Sequence, residues 1–439
     1  MAADTIYAPG TAAGRAPVGV LRISGPAAAA AVRLLTGEGP PRPRTATLRR
    51  LSDPDTGETI DQALLLWFPA PRSQTGEDLL ELQHHGGTAV LAGLLGVLAR
   101  VPGLRPAGPG EFTRRAFLNG KLDLTAAEGL ADLIDATTRA QARQAMRQLG
   151  GELGRLYAAW RERLLGSLAL LEAEIDFAPD QEVPGGMLAR VLPELAPLRG
   201  ELARHLAEGS KGERLRAGVT VAVIGAPNVG KSSLVNLLAR REVAIVTAVA
   251  GTTRDVIEVQ LDLDGIPVVL LDTAGLRETD DPVEAVGVER ARRRAAEADL
   301  LVHVLDAFAP ARLPPDERAV VVRNKVDLLP EGSGYGRAIG VSCLTGAGLA
   351  ELVAELGRRA VALVTAGANP VLTRARHRAA VAEALTALDR FGAEAERGAE
   401  LALLTEDLRL AAGAIGGIVG AVGVEDVLER IFASFCIGK

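Results

Sequence analysis

The segment "GAPNVGKSS" sets Gly225, Gly230, Lys231 and Ser232 in the spacing G-x-x-x-x-G-K-[ST]. Glycines at those points let successive backbone N–H groups turn inward around phosphate oxygens at the start of a helix. Lys231 supplies a compact charge between β- and γ-phosphates, and the Ser232 hydroxyl suits Mg²⁺. The apolar run "VTVAVIG" stands just before the motif and "SSLVNLLAR" just after it, the strand–loop–helix context it requires. A glycine-rich turn with a chance lysine is the competing reading, and five lysines in 439 residues leave it little room.

Further motifs follow in a fixed order. "AGTTRD" offers Thr252 and Thr253 as switch threonines that complete a magnesium shell and sense the γ-phosphate, and "VVLLDTAG" ends a strand at Asp272, with the Gly275 amide facing that phosphate. In "VVVRNKVD", Asp327 is an acceptor for both N–H groups on one edge of guanine, a pair that adenine lacks. Asn324 and the stem of Lys325 support that loop and the ring, and "GVSCLTG" puts Ser342, Cys343 and Leu344 at the last guanine loop. The expected nucleotide is therefore GTP, bound also by Val229, Ser233, Thr247, Ala248, Val249, Ala250, Gly251, Thr273 and Ala274. Leu276 stands where Ras-like enzymes carry a water-orienting glutamine, so hydrolysis needs another group. Glu284 in "TDDPVEAVG" is the candidate, against the plainer reading of a solvated loop acid; a monovalent cation beside Asn228 would replace the missing positive charge.

Composition limits what else the chain does. With 48% hydrophobic residues it can bury a core, and a net charge of −6 excludes a broadly basic nucleic-acid surface. RNA, if a partner, must meet a local patch or come with another protein. Of 49 basic residues only Lys121, Lys211, Lys231, Lys325 and Lys439 are lysines, so these mark places where a rotatable ammonium matters, Lys211 excepted as a hydrophilic-segment residue. Two cysteines, Cys343 and Cys436, and no leader segment point to a reducing cytoplasm. The run Leu410–Val424 is too short to span a membrane, and Gly416 and Gly420 in it read as close helix packing. The tail "SFCIGK" does not fit a prenylation box, because Gly438 and Lys439 fill its last places, so no membrane anchor is expected. His84 and His85 lack further ligands at metal spacing and read as structural.

These motifs need scaffolds. Residues 1–118 alternate short apolar runs with Pro and Gly, an α+β unit. Thr125 with Glu128 fits a capping box opening a long helical stretch to about Phe177, and a second runs from about Met187 to Ala207. Residues 216–366 repeat strand, turn and helix, a doubly wound parallel sheet, while 119–215 and 367–439 are helical and would pack as one body around the inserted α/β domain.

"GVLRISG", "TGEDLLELQHHGG", "PGEFTRRAFLNGKLDLTAAEGLADLIDA", the nucleotide motifs and the final "FCIGK" together resemble the tRNA-modification GTPase MnmE (TrmE) family over the whole chain. The resemblance implies an N-terminal α+β tetrahydrofolate-binding domain that dimerises, a discontinuous helical domain and an inserted Ras-like P-loop G domain. It implies that the chain works with the FAD-dependent MnmG (GidA), in a heterotetramer or larger. Together they would add a carboxymethylaminomethyl or aminomethyl group at C5 of the wobble uridine of certain tRNAs, with a one-carbon unit from a 5-formyl or 5,10-methylene tetrahydrofolate. It further implies K⁺ at Asn228, Thr247, Val249 and Thr252, Mg²⁺ at Ser232 and Thr253, catalysis by Glu284, and folate contacts from Arg22, Glu81, Lys121 and Lys439. Cys436 is either a nucleophile or proton donor favoured by nearby cations or a small packing residue. Cys343 replaces the family's usual alanine, and short connections on either side of the NKVD loop trim peripheral structure. A ribosome-assembly-type RNA-binding GTPase shares the nucleotide motifs but would need a basic RNA-binding domain after them.

Overall fold

The computed structural model describes residues 4–12, 14–176, 186–241, 258–272, 296–310, 316–330, 332–365, 371–421, 425–433 and 435–438. They form two compact units: Met1–Ala131 with Leu149–Ala158 and Gly416–Lys439, and Asp132–Gln148 with Ala159–Ile415.

The first unit is built on strands β1 (Thr5–Pro9), β2 (Ala16–Ser24), β3 (Thr47–Ser52), β4 (Thr59–Phe68), β5 (Leu79–Gly86) and β6 (Leu104–Pro106), in spatial order β3-β4-β5-β2-β1-β6. Alternation sorts its faces. Leu21, Ile23, Leu65, Leu80 and Leu82 are buried with helices α1 (Ala28–Thr36) and α2 (Thr88–Leu98), while Arg22 and Glu81, paired in register on β2 and β5, lie on the opposite face. His84 is 3% exposed, and its ring covers Gly19, where a Cβ would come within 2.5 Å of it. Helices α3 (Glu111–Leu118) and α4 (Leu124–Asp135) follow. The cap of α4 is Asp123, not Thr125: Asp123 Oδ1 accepts from the Ala126 amide at 2.8 Å and the Thr125 hydroxyl at 2.6 Å. The aspartate two residues upstream caps the helix instead and moves its start, and Thr125 and Glu128 become buried residues of its first turns.

The expected helix from Thr125 to about Phe177 is three helices: α4, α5 (Arg139–Leu149) and α6 (Glu152–Asp176), broken at 136–138 and at Gly150–Gly151. The next, α7 (Met187–Ala217), runs ten residues beyond the expected end, because "EGSKGERLRA" packs tightly. A Cβ on Gly209 would meet Leu372 at 2.4 Å and one on Gly212 the Leu372 carbonyl at 2.3 Å.

In the second unit, the sheet runs β12-β11-β10-β7-β9-β8, from β7 (Val219–Gly225), β8 (Glu258–Leu263), β9 (Ile266–Asp272), β10 (Leu300–Asp306), β11 (Ala319–Asn324) and β12 (Ile339–Val341). Every pairing is parallel except β8 with β9. The valine-rich β7, β10 and β11 read as continuous apolar runs because they are buried centrally. Helix α8 (Lys231–Ala239) and helix α9 (Leu349–Val364) contribute to its core, and α7 packs both on α9 and on α10 (Ala375–Glu396). The last helices are α11 (Leu401–Val419) and α12 (Glu425–Ala433). Residues 367–439 divide between the two units. α10 and most of α11 lie in the second unit, and Gly416–Lys439 belongs to the first, where Leu428, Phe432 and Phe435 pack on Leu124 and Ala127, and Gly420 (φ 86°) lies against the Phe117 ring. Among the described residues no helix is long and apolar enough to cross a membrane.

Candidate functional site

The carboxyl ends of β7, β9, β10 and β11 bring Gly225, Asp272, Asp306 and Asn324 to one edge of the second sheet, the usual place for a ligand in an open α/β fold. Two glycines there are dictated by close approach. A Cβ on Gly225 (φ 149°) would sit 2.3 Å from the Val304 carbonyl oxygen, and one on Gly230 (φ 99°) 2.2 Å from Asn324 Nδ2. Gly230 is the residue before α8, so Lys231, Ser232 and Ser233 occupy its first turn with unsatisfied amides facing the loop. Asn228 takes a left-handed conformation at φ 61° and is exposed, as are Ala226 and Pro227. Lys231 Nζ donates to the carbonyls of Gly225 at 3.0 Å and Ala226 at 2.9 Å. A polyphosphate is a stronger, charge-assisted acceptor for that ammonium, so the loop fits one without rebuilding.

Asn324, 2% exposed, staples the site. Its Nδ2 donates to the Val229 carbonyl at 2.8 Å, and its Oδ1 accepts from the Cys343 amide at 3.2 Å. One side chain thus ties the phosphate loop to the last loop, where Ser342 Oγ accepts from the Thr345 amide. Next in sequence, Lys325 (φ 63°) pairs with Asp306 at 2.7 Å, which holds the Asp306 carboxyl below its usual range. Asp327 is exposed, its carboxylate accessible to a base. Burial pushes the Cys343 thiol up, so it stays protonated beside that loop. Leu344 is 86% exposed. Asp272 is 6% exposed and pairs in register with Val223, two residues before the loop. Thr247, Ala248, Val249, Ala250, Gly251, Thr252, Thr253, Thr273, Ala274, Gly275 and Glu284 lie outside the described residues. Of the residues expected to hold magnesium and potassium, Ser232 and Asn228 are the ones within the described residues.

A second cluster sits in the first unit. Arg22 Nε is 3.0 Å from Glu81 Oε1, off the angle of a hydrogen bond, so Nε stays buried without a hydrogen-bond partner. An orphaned donor beside a carboxylate fits a polar heterocycle edge. A Cβ on Gly10 would lie 3.7 Å from that Nε. The chain's tail comes to the same turn: Ile437 bridges Pro109, Gly110 N–H donates to the Cys436 carbonyl at 3.3 Å, and Gly438 (φ 94°) packs where a Cβ would meet the Pro9 carbonyl at 2.0 Å. Cys436 is exposed, and Lys439 lies outside the described residues. Lys121 Cε stands 3.3 Å from where a Gly76 Cβ would be.

Sequence reasoning overlooked what holds this cluster. Ser24 Oγ is 2.7 Å from Thr75 Oγ1 and donates to Glu77 at 2.8 Å, and Asn119 donates to the Thr75 carbonyl at 2.7 Å. Arg115 reaches Glu77, Asp4 and Glu111. Glu111 is raised by burial, yet Arg105, the Gly108 amide and Arg115 bring it net below the usual carboxylate range. The only sequence signal was a Thr-Gly-Glu turn with an arginine 38 residues later.

Two family models match the chain: "GTP-binding protein TrmE N-terminus" over residues 5–121 and "MnmE helical domain" over 124–436. A tRNA modification GTPase MnmE of Parvibaculum lavamentivorans is 54% identical over 447 residues, 99% of this chain and 100% of that protein. Proteins of the same name from a Methylobacterium species and from Rhodospirillum rubrum are each 54% identical, over 439 and 461 residues and 99% and 100% of this chain, in both cases across all of the relative. With identity of that level sustained from end to end and both models matched in order, the chain belongs to the MnmE (TrmE) family.

Proposed function

We propose that this chain is a GTPase that works in tRNA modification. The observation that carries the reading is the Asn324 staple between the phosphate loop and the last loop, in a chain alike from end to end to proteins named for that activity. GTP lies with its phosphates on Gly225–Ser233 and α8, and its guanine against Asp327, whose two lone-pair sites accept both edge N–H groups. Lys231 leaves the Gly225 and Ala226 carbonyls for the phosphates. Magnesium and potassium, when bound, neutralise developing phosphate charge: Ser232 and Thr253 hold the first, Asn228, Thr247, Val249 and Thr252 the second. Glu284 orients the attacking water, the role that Leu276 cannot fill.

Turnover couples to chemistry in the first unit, where Arg22, Glu81, Lys121 and Lys439 hold a tetrahydrofolate. That group supplies one carbon at the formyl or methylene level. The orphaned Arg22 Nε and Glu81 suit its polar ring edge, Lys121 its anionic tail, and Gly438 packs at Pro9 beside the same turn. With an FAD-dependent MnmG, a homodimer of this chain adds a carboxymethylaminomethyl or aminomethyl group at C5 of wobble uridine in the cytoplasm. In domain terms, 1–118 binds folate, 216–366 binds GTP, and 119–215 with 367–439 join them. The test is Glu284→Ala in place of the parent protein: GTP binding persists, hydrolysis drops about 10²-fold or more, and wobble modification disappears. Full modification by that protein would reduce the G domain to a regulator and sink the reading.

A further inference from the structure

A chain with a net charge of −6 that acts on RNA needs one local surface where phosphates are welcome. Several arginines of the first unit are neutralised: Arg49 by Glu38, Arg100 by Asp53 and Asp55, Arg105 by Asp4 and Glu111, Arg115 by Asp4, Glu77 and Glu111. Among the exposed ones that are not, four lie on or next to β3 and β4. Arg42, Arg44, Arg50 and Arg72 have no carboxylate of the described residues within ion-pair distance.

They are held together by the fold. The Arg44 guanidinium donates to the Arg72 carbonyl and stands over the Phe68 ring, 5.5 Å from its centroid. Its amide donates to the Trp67 carbonyl at 2.9 Å, and the Arg42 carbonyl accepts from Thr45 at 3.2 Å. Arg44 adopts φ 58°, a conformation that costs a non-glycine residue about 1 kcal/mol and is kept here at an exposed cationic corner. Arg50 extends the charge along β3, opposite Gln62 on the face of the sheet away from α1 and α2. The Ala70–Asp78 segment runs from Arg72 to Gly76, which lies against Lys121, so the patch borders the candidate folate cluster.

We infer that Arg42, Arg44, Arg50 and Arg72 form a docking surface for the phosphate backbone of RNA. Guanidinium groups match phosphate in a fork, and one seated on an aromatic ring keeps its donors outward and offers a stacking platform for an unpaired base. The inference rests on the reading that the chain acts on tRNA.

The test uses the full chain and fluorescently labelled unfractionated tRNA, with binding followed by anisotropy across a potassium chloride series. Arg42→Gln/Arg50→Gln/Arg72→Gln removes three charges whose side chains make no hydrogen bond or ion pair among the described residues, and should lower the slope of log affinity against log salt by about 2–3. Affinity at low salt should fall 10-fold or more. GTP hydrolysis and binding of 5-formyltetrahydrofolate should be unchanged, which shows that the fold is intact. Arg44→Lys should bind more tightly than Arg44→Gln. Unchanged affinity and slope in the triple variant would overturn the inference. So would loss confined to Arg139→Gln/Arg143→Gln on α5, or loss of folyl-polyglutamate binding with tRNA binding intact. The function reading fails separately, if wobble nucleosides do not depend on the chain.

Discussion

At the scale of residues, the proposed guanine contact is one exposed carboxylate, Asp327, shortly after the buried amide Asn324. Asp327→Asn exchanges an acceptor for a donor, so affinity for GTP should drop about 10²-fold or more while xanthosine triphosphate, which offers an acceptor at that edge, should bind in its place. Titration with fluorescent analogues of both nucleotides checks this; equal GTP affinity in parent and variant would remove Asp327 from the site. Residue types made this site legible, because Gly, Lys, Asn and Asp at fixed spacing each answer one demand of the ligand. The Arg22–Glu81 pair was reached only through family resemblance. Two residues 59 apart become neighbours through strand register, which no local spacing encodes. The demand for glycine at 438 was missed for the same reason: it comes from close approach of the Pro9 carbonyl, visible only once the tail is docked.

Among elements, α7 is the most informative departure from expectation. The helix was read as ending near Ala207, because Gly209, Gly212 and charged residues look like a linker; tertiary contact with Leu372 overrides that propensity. Its end is latched. Asp132 on α4 accepts from Arg216 Nε and from Arg374 NH2, both at 2.7 Å, so one carboxylate joins the two chain segments that flank the α/β insertion. Gln141 on α5 adds a bond to the Arg216 carbonyl at 3.0 Å. Asp132→Ala should lower the stability of the second unit by about 1–2 kcal/mol, discounted for the exposure of Arg216. Thermal unfolding in low salt reads this, and an unchanged midpoint would make the latch energetically idle.

Also on α7, His205 sits edge-on to Trp160 at 5.1 Å, and burial, with a contribution from His377, pushes its pKa from 6.5 down to about 4. The unfolded chain binds the proton more tightly, so stability falls as pH drops through that interval. The loss amounts to about 3 kcal/mol at most. Denaturant unfolding at stepwise lower pH should show this slope in the parent and a flatter one in His205→Leu; identical slopes would exclude the histidine as its source.

Across the whole molecule, one chain carries two sheets, and Gly416–Lys439 groups with the first of them. The parallel sheet was evident from its repeated apolar strands and turns, whereas the antiparallel β8 was overlooked because "VQLDL" alternates weakly beside the stronger "IPVVLL". The most direct measurement of the central claim is mass-spectrometric analysis of wobble nucleosides in tRNA from cells lacking this chain. The account predicts unmodified C5 at the affected uridines, restored by the parent protein and not by Glu284→Ala. A full complement of modified wobble uridine without the chain would contradict it.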